Sequence, residues 1–300
     1  MSNPLTIVGI GEILWDLLPS GRQLGGAPAN FAYCCHLLGN HASVVSRIGN
    51  DQLGNDIVES LTKAGLDHDF LQIDAARPTG TAGVQLDKGQ PTFQITQSVA
   101  WDYLQWTAEC ESLAKATDAV CFGSLAQRSA KSRNTIRNFL RTTRADSLRI
   151  FDVNLRQDFY SEKLIRESLV LANTVKLSHE EVPVVQRLLK MNESSNDSFS
   201  RRLIDNFSLQ LVCITRGAQG SFLYDGDTAD EHQGFRIKVN DTIGSGDAFT
   251  AGLVDGILRR HSLAEVNEAA NRLGAWVAMN SGAMPPVPQH GIQRALANLK

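Results

Sequence analysis

Asp241-Thr242-Ile243-Gly244-Ser245-Gly246-Asp247-Ala248-Phe249 is the stretch on which the reading of this chain turns. Two glycines and a serine stand just before an acidic residue that opens a helical pattern. Phe249, Leu253 and Ile257 recur every four positions, and Gly252 and Gly256 leave a smooth stripe for close packing. The spacing predicts a strongly amphipathic helix beginning at Asp247. A helix start offers unpaired backbone N–H groups and the positive end of the helix dipole, so it attracts anions, phosphate above all. Gly244 and Gly246 let the backbone approach such an anion where a Cβ would obstruct it. Asp247, in the first turn beside the anion, is placed to accept a proton. An anion cradle next to a carboxylate is the minimal equipment for moving a phosphoryl group onto a hydroxyl. Ser and Asp also favour helix starts simply as caps, so the stretch alone reads equally well as a well-capped helix.

The composition narrows the classes. The chain has 300 residues, enough for one large α/β domain or two modest ones, with 42% hydrophobic and 20% charged residues. A formal net charge of −3 with no basic stripe argues against nucleic acid as a partner. Cys34, Cys35, Cys110, Cys121 and Cys213 are scattered without a C-x-x-C, as expected of reduced core thiols. No basic n-region precedes an apolar run, and no stretch of about 18 apolar residues could span a bilayer. The expectation is a soluble cytoplasmic protein with no membrane partner.

Short apolar runs alternate with helical patterns. Strands are expected at Thr6–Gly11, Ser43–Ile48, Ala119–Gly123, Arg149–Val153, Val175–Leu177, Leu211–Thr215 and Phe222–Tyr224. Helices are expected near 27–38, 54–64, 130–144, 162–172, 180–190 and 199–207. This alternation predicts βαβ units and a largely parallel α/β sheet covered on both faces. Two segments break the pattern: a strand-like run at Ile13–Leu18, and a hairpin of Thr81–Leu86 and Thr92–Thr96 around Asp87-Lys88-Gly89-Gln90. They predict a small antiparallel flap over 13–26 and 79–96, beside an α/β core made of 1–12, 27–78 and 97–300.

Several familiar motifs fail. Gly9-Ile10-Gly11 follows the first strand, but Leu14 stands where a dinucleotide fingerprint needs its third glycine. P-loop, zincin and G-x-S-x-G patterns are missing from the sequence. Gly25-Gly26-Ala27-Pro28-Ala29-Asn30 is more informative. Pro28 suits a helix start and Gly39 its stop, the glycines permit close approach of a ligand, and Asn30 offers both donor and acceptor to sugar hydroxyls. An ordinary turn before a helix explains the segment as well. Asp16 is a carboxylate inside an apolar strand, either functional or an exposed edge residue. Asp152-Val153-Asn154-Leu155-Arg156 follows a strand, where polar groups face the usual ligand crevice. Arg156 could stabilise phosphoryl charge there, or simply make a surface ion pair. Thr215-Arg216-Gly217-Ala218-Gln219-Gly220 carries two glycines suited to a nucleotide-hugging loop or to a plain turn.

Together these elements resemble the ribokinase-like (PfkB) carbohydrate kinases, the fructokinase-like branch in particular. The segment 25–30 with Gly39 is similar to the family's N-terminal signature, and 241–249 to its C-terminal D-T-x-G-A-G-D, with Ser245 in place of Ala. The resemblance implies a Rossmann-like ribokinase fold, a mostly parallel sheet flanked by helices with a small β-sheet lid. It implies ATP and Mg2+, with K+ as an optional monovalent cation, and a sugar held between lid and core. Asp247 would be the general base, and the amides of Gly244, Ser245 and Gly246 the anion hole. Asp16, Gly25, Gly26, Asn30 and Arg156 would hold the sugar. Thr215, Gly217, Gly220 and Asn271 would line the nucleotide site. Glu181 would act indirectly on Mg2+, although Ser178 replaces the Asn of the family's N-x-x-E element, and Asp241 and Gly282 match the monovalent-cation loop. The implied reaction is phosphorylation of a primary hydroxyl, D-fructose to fructose 6-phosphate. The alternatives are a 2-keto-3-deoxygluconate or nucleoside kinase and a non-catalytic sugar-binding regulator. The lid hairpin could pair two copies into a homodimer.

Overall fold

Parallel strands buried on both faces need helices above and below, and the chain meets that need with two helical layers. The structure, a computed structural model, describes residues 4–18, 21–87, 90–287 and 291–299. Its strands are β1 (Thr6–Ile10), β2 (Leu14–Leu18), β3 (Gly21–Gly25), β4 (His41–Gly49), β5 (Leu71–Asp74), β6 (Gly80–Asp87), β7 (Gln90–Ile95), β8 (Ala119–Gly123), β9 (Leu148–Asp152), β10 (Thr174–Ser178), β11 (Leu211–Thr215), β12 (Ser221–Tyr224) and β13 (Ala229–His232). Its helices are α1 (Ala27–Leu37), α2 (Gln52–Lys63), α3 (Ala108–Ala116), α4 (Ala130–Thr142), α5 (Glu162–Leu171), α6 (Val182–Leu189), α7 (Asn196–Phe207), α8 (Ser245–Leu258), α9 (Leu263–Ala278) and α10 (Ile292–Ala297).

Nine strands form the main sheet in the order β13-β12-β11-β10-β9-β8-β1-β4-β5, parallel except for the antiparallel edge β11-β12-β13. Alternate side chains feed opposite layers. Val212 and Ile214 of β11 pack with α3–α7, whereas Leu211 and Cys213 pack with α8 and α9. A strand that reads as one continuous apolar run therefore still obeys the two-residue period. All five cysteines are free and buried. Among the described residues no helix is long and apolar enough to cross a membrane.

The second sheet has the order β3-β2-β6-β7. Its hairpins β2-β3 and β6-β7 are antiparallel, but β2 and β6 run parallel, because each enters this sheet directly from the core on its own crossing. The expected flap is thus mixed rather than purely antiparallel. Lys88 and Gly89 of the expected turn lie outside the described residues.

The helix read as strongly amphipathic is α8, and the structure corrects that description: Ala248 to Val254 are all buried in succession. The reason is its place between α1 and α9 over the sheet, which leaves it almost no solvent face. The glycine stripe serves this packing. A Cβ on Gly252 would lie 2.8 Å from Ala270 Cα, and one on Gly256 would lie 3.0 Å from Val266 Cγ2. Gly252→Val should therefore force α8 and α9 apart and cost about 1–3 kcal/mol, the usual range for overpacking. Urea denaturation checks this, and an unchanged midpoint would show that the contact is slack.

Candidate active site

The carboxyl ends of β1, β9, β10 and β11 open into two adjoining cavities of about 540 Å³ and 460 Å³. Thr215, Thr242 and Gly246 line both, so the cavities meet at the N-terminus of α8. The larger reaches the second sheet through Asp16, Ala82 and Ile95.

The turn before α8 works by glycine geometry. Gly244 caps the helix in a left-handed conformation at φ +74°, and a Cβ there would overlap Ala283. The Ser245 amide donates to Thr242 O at 3.2 Å, and its hydroxyl donates to the same oxygen at 2.9 Å. Of the three amides expected to form an anion hole, that of Ser245 closes the turn instead. The first-turn amides without an acceptor inside the helix are those of Gly246 and Asp247. Below them, a Cβ on Gly246 would stand 3.2 Å from Lys176 Nζ, so an ammonium lies against the same turn.

Lys176 was not among the residues singled out from sequence. It projects from the middle of β10, is 7% exposed, and sits 3.1 Å from each oxygen of Asp152, which is 3% exposed. Burial works against its charge, but the carboxylates of Asp152, Asp247 and Glu181 overcome that and raise its pKa, so it remains an ammonium. A lysine in the centre of an otherwise apolar strand was the available signal, since Lys is almost never buried unpaired.

Asp247 accepts a hydrogen bond from Asn30 Nδ2 at 2.8 Å, which joins the two glycine-rich segments on one face of the sheet. Burial, and then the charge of Asp152, push its carboxyl up to about 6, against the pull of the Asn30 hydrogen bond, Lys176 and Arg156. Asp16 lines the same cavity, its carboxyl raised by burial and held back by Arg156. Gly25 lies beneath it, since a Cβ there would overlap Asp16 Oδ2. Gly26, at φ +113°, lets the start of α1 approach the segment between β1 and β2: a Cβ would fall 2.5 Å from Glu12 O. Arg156 is exposed at the cavity rim, where its guanidinium donates to Leu155 O at 3.1 Å. Glu12 was also missed. It is 2% exposed and lines the cavity, and burial pushes its carboxyl up to about 7.

The smaller cavity is lined by Thr215, Gly217, Gly220 and Asn271 together with the apolar Phe235 and Val239. Gly220 owes its identity to the fold as well, because a Cβ would overlap the His232 carbonyl. Asn271 Nδ2 donates to Ser221 Oγ at 2.7 Å and to Asn267 O at 2.8 Å, which fixes the amide plane. Glu181 accepts from the Leu155 amide at 2.6 Å and the Ser178 amide at 2.7 Å, so both oxygens already hold backbone in place. Asp241 accepts from the Ile243 amide at 2.6 Å and the Gly282 amide at 2.8 Å, tying two loops together behind the helix start. Among the described residues, no three His, Cys, Asp or Glu side chains cluster as a metal cage.

Comparison with known proteins agrees with this geometry. A family profile described as pfkB family carbohydrate kinase matches residues 21–290. The chain is 30% identical to PH1459 of Pyrococcus horikoshii, described as a putative sugar kinase, over 92% of this chain and 91% of that one. The crystal structure of that protein, described as an uncharacterized sugar kinase, superimposes with a TM-score of 0.80 over 93% of each chain. A fructokinase of Klebsiella pneumoniae is 30% identical over 96% of this chain and 98% of its own length. A fructokinase of Vibrio cholerae O395, solved with fructose, ADP and calcium bound, has a TM-score of 0.80 at 25% identity and covers 99% of both chains. The profile match spans most of the chain and both glycine-rich segments except for the first residues of the fold, and the chain belongs to the pfkB family of carbohydrate kinases.

Proposed function

We propose that the protein transfers the γ-phosphoryl group of ATP to the terminal primary hydroxyl of D-fructose. The observation that carries this reading is the position of Asp247: a carboxylate of raised pKa in the larger cavity, next to Gly246 where the two cavities meet, beside free helix-start amides. The relatives named fructokinase, one of them binding fructose and ADP, support the same substrate pair.

The larger cavity takes the sugar, with Asp16 and Asn30 hydrogen-bonding its hydroxyls and the second sheet closing over it as a lid. The smaller takes the nucleotide: its apolar wall suits a base, and Asn271, with its Nδ2 committed, presents its carbonyl oxygen. The polyphosphate then runs toward Thr215 and Gly246. Mg2+ supplied with the nucleotide neutralises phosphate charge, and Glu181 contributes by holding Leu155 and Ser178 rather than by direct ligation. Asp247 takes the proton of the attacking hydroxyl, while the Gly246 and Asp247 amides and the Lys176 ammonium stabilise the transferring phosphoryl oxygens. Charge in the sugar cavity favours a neutral substrate over a sugar acid. Asp16 and Asp247 face it as carboxylates, Lys176 is committed to Asp152, and Arg156 is the one uncommitted cation that lines it among the described residues.

An ADP-release assay over fructose, 2-keto-3-deoxygluconate, other sugars and nucleosides tests the substrate. Fructose should show the highest kcat/KM; turnover of the acid without fructose would overturn the choice. Binding without turnover of any compound would favour a non-catalytic sugar-binding protein. Asp247→Ala should lower kcat by about 10²–10⁴ with the melting temperature preserved, the range for loss of a general base. A variant that keeps most of its activity removes Asp247 from that role. Because the base acts only when ionised and its carboxyl titrates at about 6, kcat/KM should fall as the pH drops below that value. A profile flat down to pH 4.5 would contradict the assignment.

A further inference from the structure

Two oxygen atoms in the wall of the cavity that Asp247 lines are buried without a hydrogen-bond partner: Asn30 Oδ1 and Glu12 Oε2. Asn30 is 4% exposed and Glu12 2%, and both line the sugar cavity. The Asn30 amide is turned with Nδ2 toward Asp247, so its oxygen is an acceptor lacking a donor. Glu12 makes no ion pair among the described residues. An isolated ionised carboxylate is too costly to bury, whereas the acid form is a donor lacking an acceptor. Each group supplies what the other is missing. We propose that Glu12 stands as a neutral carboxylic acid whose proton is hydrogen-bonded to Asn30 Oδ1, locking the amide so that Nδ2 holds Asp247 for catalysis.

Glu12 is thus a positioning residue, and the inference rests on Asp247 being the base. Its electrostatic surroundings agree. Burial dominates and pushes its carboxyl up to about 7; its own backbone amide and Arg156, in the loop after β9, pull it down, while Asp247 of α8 and Asp152 of β9 push it up. Lys176 of β10 faces Asp152, and Asp16 of β2 lies across the cavity beside Arg156. Above that pH, a carboxylate oxygen would confront the amide oxygen of Asn30. The amide would then lose its orientation, and Asp247 its donor.

Glu12→Gln carries a permanent N–H donor in the same shape, and Glu12→Leu carries none. The wild type should lose kcat/KM about three- to tenfold between pH 7 and 8.5, the worth of one hydrogen bond. Glu12→Gln should hold its rate across that interval, and Glu12→Leu should lower kcat several-fold at every pH with little change in KM. Coincident alkaline limbs in the wild type and Glu12→Gln would overturn the proposal. A second measurement needs no turnover: in protein carrying ¹³C-carboxyl glutamate, the signal missing from Glu12→Gln should titrate near 7, and its midpoint should fall in Asn30→Ala, where the acid loses its acceptor. A midpoint in the ordinary range of about 4.3, or one indifferent to Asn30→Ala, refutes the hydrogen bond. If no sugar is phosphorylated, the reading of the protein as a kinase fails, and the titration still decides the state of Glu12.

Discussion

The site depends on one ammonium placed where an ammonium is hard to keep. Lys176 Nζ lies under the first turn of α8 and is held charged by Asp152. A buried ion pair of this kind contributes little net stability, because desolvating both partners offsets most of their attraction. Its consequence is positional. It puts fixed positive charge at the junction of the two cavities, next to amides that already favour anions. Gly246 keeps the approach open, since any side chain at that position would crowd Nζ. The strand, the helix start and the glycine therefore belong to one device.

The same turn must favour negative charge on a ligand and also carry a negative side chain of its own. Direction resolves the conflict. The amides open at the start of α8, where Gly246 lines both cavities, while the carboxylate of Asp247 is drawn toward α1 by Asn30. The Asn30 contact spans 217 positions of sequence, so this wall of the larger cavity exists only once α1 and α8 have packed together. Asp241, bonded to Gly282 from behind, stiffens the loop that delivers the turn.

How much of this was legible in the sequence follows from which interactions are local. The glycine-rich start of α8, the Gly25–Asn30 segment and Asp16 were visible because turns and caps are written in neighbouring residues. Seven of the nine strands of the main sheet were visible as apolar runs, while the edge strand β5, Leu-Gln-Ile-Asp, was not. β13, with Ala-Asp-Glu-His, was not, because an edge strand needs no apolar run and is recruited by β12. The parallel pairing of β2 with β6 was hidden for a similar reason: it is set by how two crossings leave the core. The engagement of Ser245 was hidden too, since a serine in a glycine-rich turn gives no hint of whether its amide faces a ligand or the turn. Lys176 and Glu12 left only a faint trace, a charged residue beside apolar ones, and the meaning of Lys176 arises from Asp152, 24 positions away.

The raised pKa of Asp247 shows why those distant partners matter. A carboxyl left at its ordinary value of 3.8 would be a weak proton acceptor, while one pushed far above neutrality would rarely be ionised. Burial and Asp152 push it up; Asn30, Lys176 and Arg156 restrain it near 6. Asp152 would raise it further if it were not itself neutralised by Lys176 at 3.1 Å. The ion pair that places positive charge under the start of α8 thus also sets the basicity of Asp247. Changing either of its members would disturb both functions at once, and that coupling is a physical reason for keeping a charged pair where an apolar one would pack as well.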